Sequence, residues 1–490
     1  MTQKLSRRHF LKKVAIGGIA VGFNLQNKSW ATTQDLENYS SNTFAEDFPD
    51  FEGELITDIT QLTQEADDFG HIHQYISQAI LKPATYQDII KMVKFANNYD
   101  LKIAVKGQGF STNGETQTQA GVVIDMASLS EVFEINDAQV SAQAGARWID
   151  VLEQTVPQNL GLPIVTDFLE LSIGGSIAVG GFGAQSYKHG CMADNIVQLK
   201  VITGDGCLVA CSLHQNPLLF HSMKAGLGQF GIIVESSMKL ETAPTQVRAY
   251  QLIYNDLESF LNDSKRLLDE SVLDGVQGGA EPSPEGGWRY ILQLAKYFES
   301  DAPPIDSELL NGLNFNSGGD TAQDMPYFTF LNRLTPVIEQ LKAAGLWSLP
   351  HPWCPLFIPA SKAKIFIEET LANTNPNDVA GPILMSMQKR SAFKSMFLSL
   401  PDEENFVYFS LMRTAIPPTP ERIEELTASN RTVYENARDI GGYQYPVGAI
   451  PMDRTDWKKH YHNKWFLMKI LKSWFDPKHV LGPMRGIFNR

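Results

Sequence analysis

From Pro83 onward the apolar positions of the chain switch repeatedly between helical and strand spacing, and each switch marks a short element. Residues 85–96 carry Ile89, Ile90, Met92, Val93, Phe95 and Ala96 at helical spacing, with Thr85 placed to cap the first turn. Residues 101–105 and 122–126 are apolar runs of strand length, the second leaving through a turn at 125–129. Residues 139–146 alternate as a strand, and 148–156 predict an amphipathic helix. Residues 197–203 and 208–212 predict two strands joined by Gly204-Asp205-Gly206, with a further strand at 232–240. Short strands mixed with helices in this way predict an α+β domain ending near Pro244.

Beyond residue 246 the pattern changes. Aromatic and proline residues become dense, above all at residues 345–353, and helical spacing appears at 305–313, 328–344 and 361–371. This predicts a second domain over 246–442. The remaining stretch, 443–490, is helical in part, with 457–475 as its apolar centre.

Composition adds limits. A chain of 490 residues with 43% hydrophobic and 20% charged residues is that of a globular protein with two or three domains. At the N-terminus, Ser6-Arg7-Arg8-His9-Phe10-Leu11-Lys12 is a twin-arginine pattern, followed by an apolar stretch at 14–25 and a cleavage pattern at Ser29-Trp30-Ala31. This order predicts a signal over residues 1–31 that stands outside the fold and directs export to the periplasm or the medium. The formal charge is −14, and the first 31 residues hold six basic groups and no acid, leaving the remainder near −20. So acidic a body excludes nucleic acid as a partner, and no later segment has the apolar length of a membrane span.

The four cysteines, Cys191, Cys207, Cys211 and Cys354, follow no zinc spacing and read as small buried hydrophobes. His71 and His73, and likewise His460 and His462, stand two apart; two ligands make no metal site, and none is expected. Gly226-Leu227-Gly228-Gln229-Phe230-Gly231 matches the dinucleotide fingerprint literally, but a strand-like run follows it where a helix is required. Two other glycine-rich stretches, Gly107-Gln108-Gly109-Phe110-Ser111 with Gly114, and Gly174-Gly175-Ser176 with Gly180, Gly181 and Gly183, are of the kind that brings several backbone N–H groups to a phosphate. Glycines alone leave ordinary tight loops equally open.

These pieces have a family order. Lys106 to Ser111, Thr166-Asp167-Phe168-Leu169, Ile173 to Ser176, His189-Gly190, Val201 to Gly204 and Gly226 to Gly231 resemble the FAD-binding (PCMH-type) domain of the vanillyl-alcohol-oxidase-type flavoenzymes. Among these, the chain is most similar to the cytokinin dehydrogenases. Phe330-Leu331-Asn332-Arg333 and Pro350-His351-Pro352-Trp353 resemble that family's substrate domain, and Asp476-Pro477-Lys478 through Phe488 its C-terminal segment.

The resemblance implies a two-subdomain FAD domain over 32–245, an α+β substrate (cap) domain over 246–442, and a segment 443–490 that completes the FAD domain. It implies FAD contacts at Val105, Gly107, Gln108, Gly109, Phe110, Ser111, Asp167, Ser172, Gly174, Gly175, Ala178, Phe182, Ile233, Tyr445, Gly482 and Arg485. It also implies Asp167 as the catalytic base that takes the amine proton while hydride leaves the adjacent C–H. The activity implied is oxidation of a small molecule such as an N6-alkyl adenine, with the electron acceptor open between oxygen and a quinone. An alcohol, a sugar or another amine on the same scaffold is the alternative, and a non-catalytic flavin-binding protein the rival of a different class.

Four departures stand out. Phe110 occupies the position of the family's flavin-linking histidine, so non-covalent FAD is expected. Gln293 aligns with a substrate-binding glutamate, Cys354-Pro355 follow Trp353 where leucine-asparagine is usual, and Gly482 and Arg485 replace polar residues that usually touch FAD.

Overall fold

The computed structural model describes residues 20–32, 45, 47–379 and 381–488. The twin-arginine motif and most of the polar lead-in at 32–50 lie outside the described residues.

Helix Tyr86–Tyr99 shows how local sequence sets an element. Its buried face is Ile89, Ile90, Met92, Val93, Phe95 and Ala96, and it stops at Asp100 in the left-handed conformation, φ 55°. At its start the fully buried Asp88 carboxylate accepts the N–H groups of Glu52, Gly53 and Ala84 at 2.8–3.0 Å. A buried charge is tolerated there because those donors replace its water.

The helix covers a four-stranded sheet in the order Glu54–Ile56, Ala79–Lys82, Gly121–Asp125, Lys102–Lys106, whose last three strands are parallel. A second sheet of five antiparallel strands contains Gln139–Gln143, Ile196–Thr203, Leu208–Ser212 and Gly231–Lys239. Both contribute to one hydrophobic core. The C-terminal segment returns to this unit. Leu481 pairs in parallel with Ile103, next to the first glycine loop.

The second domain corrects the helical emphasis of the sequence pattern. An antiparallel sheet of eight strands organises it, in the order Asp320–Pro326, Gln246–Tyr254, Trp288–Phe298, Gly275–Pro282, Ile383–Lys389, Asn405–Leu411, Cys354–Pro359, Tyr443–Gln444. Of the predicted helices, Ala360–Ala372 is present, 305–313 shrinks to Asp306–Leu309, and 328–344 breaks into Tyr327–Leu331 and Thr335–Ala343. The break falls at Asn332-Arg333-Leu334, just before Pro336 at the start of the second helix, where proline needs no amide donor.

Residues 20–31, expected to stand outside the fold, belong to it. Ala20–Asn24 and Ser29–Thr32 pair as a hairpin. Phe23 is fully buried, with its ring 5.3 Å from Phe95 and 5.4 Å from Tyr99, and Trp30 lies 5.5 Å from Phe95. Each such aromatic contributes about 1.5–3 kcal/mol by burial, so a cut after Ala31 would uncover the outer face of helix Tyr86–Tyr99. Among the cysteines, Cys191, Cys211 and Cys354 are buried as expected, whereas Cys207 is exposed, and all four are free thiols. The exposure of Cys207 follows from its place in the turn after Gly204-Asp205-Gly206.

Candidate active site

The two glycine loops meet. A Cβ on Gly107 would stand 2.1 Å from Ser172 Oγ, and one on Gly175 would stand 2.8 Å from the same atom, so only glycine allows this approach. Gly109 has φ +76°, a conformation that favours glycine. Gln108 Nε2 donates to Gly145 O at 3.0 Å, and Gly174 N donates to Ala144 O at 2.8 Å, which pins both loops to one connection between strand and helix. Ser172 caps helix Ile173–Val179.

Val105, Gly107 to Ser111, Gly174, Ala178 and Phe182 are half-buried and Gly175 is exposed, so together they line a surface open to a ligand. Ile233 is buried on strand Gly231–Lys239. The glycines in this lining leave backbone N–H groups uncovered by side chains, which fits a pyrophosphate-bearing cofactor.

The C-terminal residues fasten the loops. Tyr445 Oη accepts from Gly181 N at 3.1 Å. Arg485 lies 3.5 Å from Glu115 and donates to Pro446 O at 2.9 Å. Gly482 O accepts from Gln229 Nε2 at 3.1 Å, which gives the false dinucleotide fingerprint a role as a clasp. Gly231 opens a strand there, as the sequence pattern required.

Asp68 was not visible as a site residue in the sequence, and no local signal marks it. Its buried carboxylate accepts from Ser111 Oγ at 2.8 Å, Gly114 N at 2.7 Å and Gly70 N at 3.1 Å, holding the first loop from behind. Burial, with Glu115 nearby, pushes this carboxyl up to about 7.

Phe110 points into an aromatic cage. Its ring lies 4.8 Å from Phe168 and 5.9 Å from Phe69. Phe69 in turn stacks on His351 at 4.4 Å and contacts Trp347 and Trp353 at 4.7 and 5.2 Å. Burial pushes His351 down to about 4, so the imidazole is neutral and packs as an aromatic ring. The proline-histidine-proline-tryptophan piece therefore closes over the first loop, and His351 N donates to Gly70 O at 2.9 Å. The other histidines have local tasks: His71 pairs with Asp67 at 2.7 Å, His73 with Asn113 at 3.1 Å, and His460 is buried.

Asp167 stands next to this cage on the seam between the domains. Thr166 Oγ1 donates to Phe168 O at 3.0 Å, shaping the turn that projects the carboxylate. Arg333 Nη2 reaches Asp167 Oδ1 at 2.5 Å from the break between the two short helices of the second domain. Gln277, oriented with its amide oxygen toward Arg333, donates to Asp167 Oδ2 at 2.9 Å and accepts from Arg333 Nη2 at 2.9 Å. Gln277 and Gln293 face each other in register on neighbouring strands, with Gln251 next in the row. Gln293 thus lies one strand beyond the residue that touches the aspartate. Sequence reading placed Gln293 at the substrate wall and missed Gln277, whose glycine-rich strand looks like a turn.

A flavin-type loop pair, a domain seam and a carboxylate poised on it define an FAD-dependent oxidoreductase. Comparison with known proteins agrees. Residues 77–212 match the FAD binding domain family, and residues 280–488 match the family described as cytokinin dehydrogenase 1, FAD and cytokinin binding. An uncharacterised oxidoreductase of the fasciation locus of Rhodococcoides fascians is 36% identical over 87% of this chain and 97% of its own length. Cytokinin dehydrogenase 4 of Arabidopsis thaliana is 30% identical over 89% of this chain and 92% of its own, and cytokinin dehydrogenase 1 of the same plant is 30% identical over 95% and 88%. The chain belongs to the cytokinin dehydrogenase-like family of FAD-dependent oxidoreductases.

Proposed function

We propose that this chain oxidises the C–H bond beside the N6 amine of an N6-alkyl adenine. The observation that carries the reading is Asp167, a carboxylate on the domain seam whose neighbour Phe168 touches Phe110 of the first glycine loop. Bound FAD supplies the two-electron acceptor. The substrate carbon gives up a hydride, and Asp167 takes the N–H proton, which removes the cation that would otherwise build on nitrogen. The imine product then adds water and splits to adenine and an aldehyde. Trp347, Phe168 and Phe110 offer flat apolar walls suited to a purine, and the Gln277–Gln293 amides offer matched donors and acceptors. Neutral amides also suit hydroxylated substrates, so the test includes alcohols and sugars. Anaerobic mixing with N6-isopentenyl adenine is expected to bleach the flavin band. No bleaching with this or any amine, alcohol or sugar of a panel would instead support a flavin-binding protein without catalysis.

The flavin is held without a covalent bond on this reading. Phe110 has no nucleophile, and the buried thiol of Cys191 is engaged by Asp194 at 3.2 Å. Acid precipitation is expected to leave all the yellow colour in the supernatant; flavin in the pellet would overturn the inference.

Export by the twin-arginine route is part of the same proposal, supported by the motif at residues 6–12. The packing of Phe23 and Trp30 favours a mature chain that keeps them, with any cleavage upstream of the hairpin. N-terminal sequencing of exported protein checks this, and a start at Thr32 would count against it.

A further inference from the structure

We infer that Arg333 is a positioning residue for Asp167, fixing the aim of the carboxylate toward the substrate. The inference rests on the reading of Asp167 as the proton acceptor.

The arrangement has three parts. Arg333 is itself held: its Nη1 donates to Phe330 O at 3.1 Å, and its guanidinium lies over the Phe330 ring at 4.5 Å. Its Nη2 occupies Asp167 Oδ1. Gln277 bridges Nη2 and Oδ2, so the guanidinium, amide and carboxylate form a closed triangle. Each carboxylate oxygen thus has one fixed donor, so the group is held against rotation, and the direction of its remaining lone pairs is set by the second domain. The pair also joins the domains: Asp167 lies in the connection before helix Ile173–Val179, and Arg333 lies 166 residues further along.

The charges facing this pair are few. Tyr408, from strand Asn405–Leu411, looks toward Asp167, and Tyr297, from strand Trp288–Phe298, looks toward Arg333. Burial pushes both phenols up, so neither ionises near neutrality. Arg333 is therefore the one charged group among the described residues that contacts Asp167. The guanidinium fork does more than a point charge could, because it serves Asp167, Gln277 and Phe330 O together.

The test is the split between kcat and KM in turnover by flavin-loaded protein, with N6-isopentenyl adenine or the best substrate of the panel. Arg333→Met is expected to lower kcat by about 10-fold or more while FAD binding is kept. Arg333→Lys keeps a donor for Oδ1 but cannot serve Asp167, Gln277 and Phe330 O together, so it recovers only part of that loss. In an Asp167→Asn background, Arg333→Met is expected to add no further loss, since the arginine acts through the carboxylate. An unchanged kcat in Arg333→Met would overturn the inference, as would a further loss on top of Asp167→Asn. If Arg333→Met fails to fold, Arg333→Lys alone decides: a wild-type kcat overturns it. Full activity in Asp167→Asn removes the underlying reading instead, and that outcome is distinct from the others.

Discussion

Asp167→Asn is expected to slow substrate reduction of the flavin by about 10²–10⁴-fold while the protein still binds FAD and folds normally. The amide matches the carboxylate in shape, and its oxygen can still accept from Arg333. What it cannot do is take a proton. Loss of a general base leaves the developing cation on the substrate nitrogen unrelieved, so the cost falls on the chemical step. Asp167 is partly exposed and outside both hydrophobic cores, which is why stability should not follow activity down. Stopped-flow recording of the flavin band under anaerobic conditions separates the two effects. A reduction rate within a few-fold of wild type would remove Asp167 from the mechanism.

The second large effect is on stability, at the C-terminal segment. Lys472 and Asp476 form an ion pair of 2.7 Å with side-chain exposures of 1% and 0%. Asp476 also accepts Val480 N and Leu481 N at 3.0 Å, and Lys472 donates to Gln229 O at 2.8 Å and Leu481 O at 3.1 Å. Gly204 leaves room for the aspartate: a Cβ there would meet Asp476 Oδ1 at 2.4 Å. Burial lowers the lysine's affinity for its proton, so its charge depends on its neighbour.

Asp476→Ala leaves that cation uncompensated and two backbone donors unmatched. A loss of about 3–5 kcal/mol is expected, seen as a lower urea midpoint and a weaker hold on FAD. Adding Lys472→Met should recover part of it, because the unpaired charge is removed while the orphaned N–H groups remain. A midpoint unchanged by Asp476→Ala would show that the pair contributes nothing.

How much of this was legible depended on whether an element announces itself locally. Helix Tyr86–Tyr99 and strand Gln139–Gln143 each have one buried face, so their periodicity shows in the sequence, and Gly121–Asp125 shows as an unbroken apolar run. The second domain hides its strands in three ways. Gly275–Pro282 carries three glycines and reads as a turn. Yet Gly278 is required because a Cβ would stand 2.7 Å from the Phe260 ring. Cys354–Pro359 is buried at every position and holds two prolines, so it has no alternation to read. Asp320–Pro326 is an edge strand that is almost wholly exposed, with no apolar face.

The site divides in the same way. The glycine loops were visible as loops, and the family order pointed to Asp167 as the proposed base. The partners of Asp167 were invisible because they come from a different domain: Gln277 and Arg333 meet it only after the eight-stranded sheet has formed. Asp68 has no local signature, since a buried carboxylate behind a loop looks like any acidic surface residue until the chain folds over it.

The parallel bridge between Ile103 and Leu481 has a consequence for the order of assembly. The strand beside the first glycine loop is finished by residues that follow the whole second domain. The sheet of that domain can close on itself, since its strands lie within residues 246–444, but the nucleotide-binding end is completed only when the segment after them docks back. A protein truncated before Leu481 is therefore expected to keep the eight-stranded sheet and yet emerge colourless.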